Sequence, residues 1–144
     1  IIDGQGGGIG RQLVEALKRA GETDIACVGT NAIATTAMLR AGATRAATGE
    51  NAALVACREA EVIAGPVGIV IADALLGEVT PRMAAAVGQS RAKRGLIPFS
   101  HCDNIVAGVP ELATGALIQC AVRSVTALAG ELADGPLESS EGRA

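Results

Sequence analysis

The chain opens on Ile1-Ile2-Asp3 and then sets five glycines within the seven positions of Gly4-Gln5-Gly6-Gly7-Gly8-Ile9-Gly10. An apolar strand end, a glycine-rich loop and a segment of helical period in direct succession describe a strand-to-helix turn. Glycine admits φ > 0 and lets another group approach where a Cβ would stand. The next segment places Ile9, Leu13 and Leu17 at i, i+4 and i+8, which is one face of a helix. Such a helix points its unpaired N–H groups and the positive end of its dipole back at the loop, where an anion is stabilised. Gly4, Gln5, Gly6, Gly7, Gly8, Ile9 and Gly10 thus form a candidate edge for a phosphate. The competing use of the same glycines is close packing of helix on sheet, and neither use specifies a reaction.

Gly-x-Gly-x-x-Gly fails in every register, because Ile9 or Arg11 stands where the third glycine belongs. Gly4-x-x-x-Gly8-x-Gly10 fits, and that spacing resembles the cofactor loop of the short-chain dehydrogenase/reductases. Those enzymes use a tyrosine with a lysine four residues on. The 144 residues contain no tyrosine, so they do not carry that hydride chemistry. In dinucleotide-binding folds an acid about 20 positions beyond the loop, at the end of the second strand, bonds the ribose hydroxyls. Here that strand, Ile25 to Gly29, ends in Thr30-Asn31. With neither an acid for NAD nor an arginine for the NADP phosphate, NAD, NADP or another nucleotide is admitted without being specified.

At 144 residues one domain is expected, able to bury roughly 70% of its unfolded surface without disulfides or metal. Phe99 is the single aromatic and the net charge is -3. There is no platform for stacking bases and no basic field, so no nucleic-acid partner is expected. Arg91, Lys93 and Arg94 are read as complementing a helix C-terminus, against an anion site. Cys27, Cys57, Cys102 and Cys120 are scattered, with no C-x-x-C pair and His101 as the one histidine. That pattern encodes neither a zinc site nor a disulfide framework and fits a reducing cytoplasm. Val62 to Leu76 spans 15 residues and carries Asp73, too short for a membrane span. With no secretory pattern visible, a cytoplasmic protein is expected. The chain starts without methionine and inside a strand, so upstream residues are expected too.

Apolar strand candidates alternate with helical segments, the pattern of an α/β, mainly parallel sheet with helices on both faces. Strands are predicted at Ile1 to Asp3, Ile25 to Gly29, Thr44 to Ala47, Val62 to Gly65, Gly95 to Phe99 and Ile105 to Val109. Helices are predicted at Gly8 to Ala20, Ala32 to Ala41, Gly49 to Ala60, Gly68 to Leu76, Pro81 to Gln89 and Pro110 to Leu132. Thr80, before Pro81, and Thr48 are candidate N-caps. Gly21 and Gly42 suit left-handed C-terminal positions. The small and acidic stretch 133–144 is expected to be a disordered tail beyond a single domain, 1–132.

Ile2-Asp3-Gly4-Gln5-Gly6-Gly7-Gly8-Ile9-Gly10, Gly29-Thr30-Asn31, Ala47-Thr48-Gly49-Glu50-Asn51 and Gly65-Pro66-Val67-Gly68 occur in that order. Together they look like a family of short bacterial proteins, the domain-of-unknown-function family numbered thirty-eight forty-two. The likeness covers about Ile1 to Leu132. It implies a Rossmann-like, doubly wound domain in a bacterial cytoplasm and implies no activity.

In such sheets ligands bind beyond the carboxyl ends of the strands, where the strand order reverses. The glycine loop, Thr30 and Asn31, Gly65 and Pro66, and Ser100-His101-Cys102-Asp103-Asn104 all fall there. Thr30 and Asn31 either contact a ligand or cap the second helix. Gly65-Pro66-Val67-Gly68 either lines the cleft or is an ordinary turn. Thr48, Glu50 and Asn51 read as a helix start rather than a catalytic group, and Asp73 as a solvent-facing or capping carboxylate. His101 beside Cys102 raises a thiolate nucleophile, but sequence neighbours in an extended segment point apart, and catalytic residues stay unassigned. Three functions follow: a protein binding a nucleotide or dinucleotide phosphate at the loop, a small enzyme acting on an anionic metabolite in the same cleft, and a homo-oligomeric module. The last would bury Ile69, Val70, Ile71, Leu75 and Leu76 of an all-round apolar helix between subunits.

Overall fold

A computed structural model describes residues 1–98 and 104–135. It is a mixed α/β structure with short parallel strands in two small sheets. β1 (Ile2–Asp3), β2 (Ala26–Gly29) and β3 (Arg45–Thr48) form the first, in the order β1-β2-β3. β4 (Val62–Pro66) and β5 (Lys93–Ile97) form the second. All pairings are parallel. The two ladders lie side by side through β1 and β4, so close that a Cβ on Gly65 would strike the Ile2 carbonyl oxygen.

Helices α1 (Gly8–Arg19), α2 (Ala32–Arg40), α3 (Glu50–Glu59) and α4 (Pro81–Gln89) connect successive strands, and α5 (Thr114–Asp134) follows β5. Side chains alternate across a strand, and neighbours part accordingly. Cys27, Ala64 and Ile97 join a core with Leu13 and Leu17 of α1, Met38 of α2 and Val122 of α5. Val28, Ile63 and Ile2 join a second core with Ala53 and Cys57 of α3 and Met83 and Val87 of α4. The same strands therefore carry apolar helices on both sides. Helix α5 is long and apolar enough to cross a membrane by length and composition, and it lays Ile118, Val122 and Val125 on the first core.

Local chemistry sets most boundaries as predicted. Gly21 and Gly42 take φ 97° and 110°, and their N–H groups return to the carbonyls of Lys18 and Leu39. The Thr80 hydroxyl accepts the Met83 N–H at 3.1 Å, with Pro81 in the first turn of α4. Arg94 reaches back to the Ser90 carbonyl at 2.9 Å and that of Val87 at 3.4 Å, serving the C-terminus of α4 as its cluster was read to do.

Four expectations are corrected. Thr48 ends β3 and shares a 2.7 Å hydroxyl contact with Thr35, while Gly49 at φ 99° is the N-cap of α3. The helix expected over Gly68 to Leu76 is a single 3-10 turn, Val67–Val70, followed by turns to Thr80. Its apolar letters imitate a buried helix, but Asp73, Leu75 and Leu76 lie at φ 64°, 56° and 56°, which ends any right-handed run. The all-round apolar helix invoked for an oligomer is thus absent. No strand forms at Ile105 to Val109, since β5 has no strand beyond it to pair with among the described residues, and Ile105 is 98% exposed. The last helix starts at Thr114 rather than Pro110 and runs through Ala133 and Asp134, where the tail was expected to begin. Residues 136–144 lie outside the described residues.

Candidate functional site

The glycine loop leaves β1 at Asp3, and Asp3 holds its shape. Only 4% of this residue is exposed. One carboxylate oxygen accepts the Gly4 N–H at 2.8 Å and the other the Gly10 N–H at 2.6 Å, seven residues on. Burial pushes the Asp3 carboxyl above the ordinary range; the Gly10 and Gly4 N–H groups pull it down and the charge of Glu78 adds to the rise. A turn closes between the Gly7 N–H and the Gly4 carbonyl at 2.9 Å.

The five glycines divide by what surrounds them. Gly7 caps α1 at φ 70°, and a Cβ there would lie 2.8 Å from the backbone of Ala34. A Cβ on Gly10 would lie 2.5 Å from Met38 Sδ and 2.9 Å from Asp3 Cβ. One on Gly4 would lie 2.5 Å from Thr30 Oγ1, 2.6 Å from Glu78 Oε2 and 2.8 Å from Leu75. Packing or turning accounts for these three. Gly6 and Gly8 are exposed, take no positive φ, and would meet nothing within 4 Å. Among the described residues their N–H groups have no hydrogen-bond partner. The side of the loop that faces solvent is therefore a bare backbone at the N-terminus of a helix. The neighbouring Arg11 pairs with Glu15 at 2.8 Å rather than with the loop.

Thr30 and Asn31 are brought to this loop. Asn31 caps α2, its Oδ1 accepting the Ala34 N–H at 2.9 Å, while its amide donates to the Gln5 carbonyl at 2.9 Å. Thr30 donates its hydroxyl to Glu78 Oε2 at 2.6 Å. Gly65 and Pro66 end β4 and are buried, with Gly65 fitted against Ile2. The small size of Gly65 is used within the sheet junction. Glu50 accepts Thr80 and pairs with Arg82 at 3.1 Å, a helix-start role. Asp73 is exposed. Cys27 and Cys57 are buried thiols pushed up by desolvation. Ser100, His101, Cys102 and Asp103 lie outside the described residues.

Sequence reasoning missed Glu78. It arrives from the turns after the 3-10 segment and is held by the Gln5 N–H at 2.6 Å, by Thr30, and by the Asn31 amide at 3.2 Å to each oxygen. Partial burial would raise its carboxyl, but the Gln5, Thr30 and Asn31 donors outweigh it and hold Glu78 below the ordinary range. Its single sequence signal was an acid after Gly77, a pattern shared by many surface turns.

Compared with known proteins, residues 1–130 match the family model described as Domain of unknown function (DUF3842). No curated protein and no solved structure matches the chain.

Proposed function

The chain belongs to the DUF3842 family, and on that footing we propose that it binds a nucleotide or dinucleotide, with a phosphate seated on the Gly4 to Gly10 loop of a Rossmann-like, doubly wound frame. The frame is supported by parallel strands that run β3-β2-β1 and then β4-β5 on the far side of β1, with helices on both sides. The strand order reverses between β1 and β4, and ligands of open α/β sheets sit at that point, beyond the carboxyl ends of the strands. The glycine loop, Thr30 and Asn31 all lie there.

The observation that carries the reading is the pair Gly6 and Gly8. Neither glycine is needed by the fold, and their absent side chains leave N–H donors bare at a helix N-terminus. An oxyanion accepts such donors and meets the positive end of the dipole. Each interaction of this kind contributes about 1 kcal/mol, so the phosphate is one anchor and the nucleoside must supply others.

Titration calorimetry of the protein against NAD, NADP, ATP and their monophosphates tests this directly. At least one should bind, and Gly8→Val should weaken that binding by at least about tenfold, since a branched side chain covers the donors. Circular dichroism of the variant should stay unchanged. Silence of the wild type towards every nucleotide removes the reading.

A further inference from the structure

We propose that Glu78 is the sugar-reading residue of this site, its carboxylate accepting the vicinal hydroxyls of a ribose at the end of β2. The inference rests on the nucleotide reading above and adds to it the class of ligand: a nucleotide with free 2′ and 3′ hydroxyls.

Dinucleotide folds put an acid at the end of the second strand to bond the ribose. In this chain that strand ends in Thr30-Asn31. The structure supplies the acid from a distant segment. Glu78 Oε2 stands 2.6 Å from Thr30 Oγ1 and 2.6 Å from the Gln5 N–H, and the Asn31 amide spans both oxygens at 3.2 Å. Its holders are the end of β2 and the loop after β1, the two segments between which a sugar lies when its phosphate sits on the loop.

An ionised carboxylate offers about four lone-pair sites and no donor. Oε2 is occupied by Gln5 and Thr30 and shares the Asn31 amide, whereas among the described residues Oε1 takes the long Asn31 contact alone, so Oε1 keeps lone-pair capacity for a hydroxyl. The group that suits it is a donor, and a phosphate placed against it meets a like charge. The bare donors of Gly6 and Gly8 and the acceptor of Glu78 thus divide the site into an anion end and a hydroxyl end. Gly4 is part of the device, because a Cβ there would lie 2.6 Å from Glu78 Oε2. The first glycine of the loop makes room for the acid, and the later two serve the phosphate.

Calorimetry with ADP, 2′,3′-dideoxy-ADP, NAD and NADP tests this on the wild type and on Glu78→Gln. The wild type should prefer ADP over its dideoxy analogue, and NAD over NADP, by roughly ten- to hundredfold, the span of a hydrogen bond to a charged group. Glu78→Gln should lose most of both preferences. Equal binding of all four by the wild type overturns the proposal and leaves the nucleotide reading standing. That comparison needs no variant to fold. Tighter ADP binding by Glu78→Gln than by wild type also overturns it, making Glu78 an occupant of the ligand's own seat. Binding of none of the four by either protein removes both readings together.

Discussion

Two segments meet at Gly4 and turn the chain by opposite means. The loop from Gly4 to Gly10 is mostly glycine, and its two left-handed residues are Gln5 and Gly7, at φ 48° and 70°. The segment from Ile71 to Thr80 has one glycine, Gly77, and forces Asp73, Leu75 and Leu76 into the left-handed region beside it. A non-glycine residue there costs about 1–2 kcal/mol. Such strain persists where the surroundings over-determine it. Here Val79 is buried, Leu75 closes on Gly4, and Glu78 is tied to the opposite loop. The first loop is shaped mainly by its own glycines and the Asp3 carboxylate, with Gln5 alone held from outside by Glu78 and Asn31. The second is shaped by what it touches, and what it touches is the candidate site.

The comparison breaks first at the glycines themselves. Gly10→Val drives a branched side chain into Met38 and Asp3, and overpacking of that kind should cost about 2–4 kcal/mol. The melting temperature should fall by roughly 5–15 °C. Gly8→Val, two residues away on the open side, should move stability by less than about 1 kcal/mol, since valine is no worse than glycine in a helix. If both variants melt alike, the division between packed and open glycines fails, and with it the argument that Gly6 and Gly8 face a ligand.

That same difference explains what could be read from the sequence. The five strands and five helices described were all visible as apolar or β-prone runs alternating with helix-period segments, although β3 is largely exposed, and three of them have a cap or stop that the sequence also shows: Thr80 before α4, Gly21 after α1, Gly42 after α2. Asn31 reads as either a cap or a ligand contact, and it is a cap that also ties the two loops together. The helix expected over Gly68 to Leu76 was wrong because apolar composition does not distinguish a helix from turns whose residues are buried or pinned by neighbours. Ile105 to Val109 was misread for a related reason: an apolar run becomes a strand only where another strand offers its edge. Glu78 was invisible because its place is set by tertiary contacts to residues more than 40 positions away.

Relieving strain in the second segment should have a smaller effect of the opposite sign. Leu76 is 97% exposed at φ 56°, so its side chain packs on almost nothing. Leu76→Gly removes a penalty of about 1–2 kcal/mol and returns about 0.5–1 kcal/mol of backbone entropy to the unfolded chain. A net gain of about 0 to 1.5 kcal/mol should appear as a higher urea midpoint with an unchanged slope. Leu75→Gly should show no such gain, because Leu75 lies over Gly4. A loss of stability in Leu76→Gly would mean that the left-handed turn is not strained, and that the two segments differ in letters only.

The smallest effect separates the two carboxylates that flank Gly4. Glu78 is held below its ordinary value near 4.5, so its contribution to stability is complete above that pH and is lost as the pH falls through the lower, folded value. Asp3 is raised above its ordinary value near 3.8, burial being the main cause. Its native form takes up a proton first, so acid relieves the cost of its buried charge as the pH falls from its raised native value to its ordinary one. The two groups pull in opposite directions as the solution is acidified. Glu78→Gln removes one of them and with it the part of the Asp3 rise that the Glu78 charge adds. The stability gap between wild type and Glu78→Gln, measured by urea denaturation, should therefore be constant near neutrality and shrink below about pH 4.5. A gap that stays constant down to pH 3 would show that Glu78 is not held as an ion by Gln5, Thr30 and Asn31, and the contact between the two loops would then be geometric rather than electrostatic.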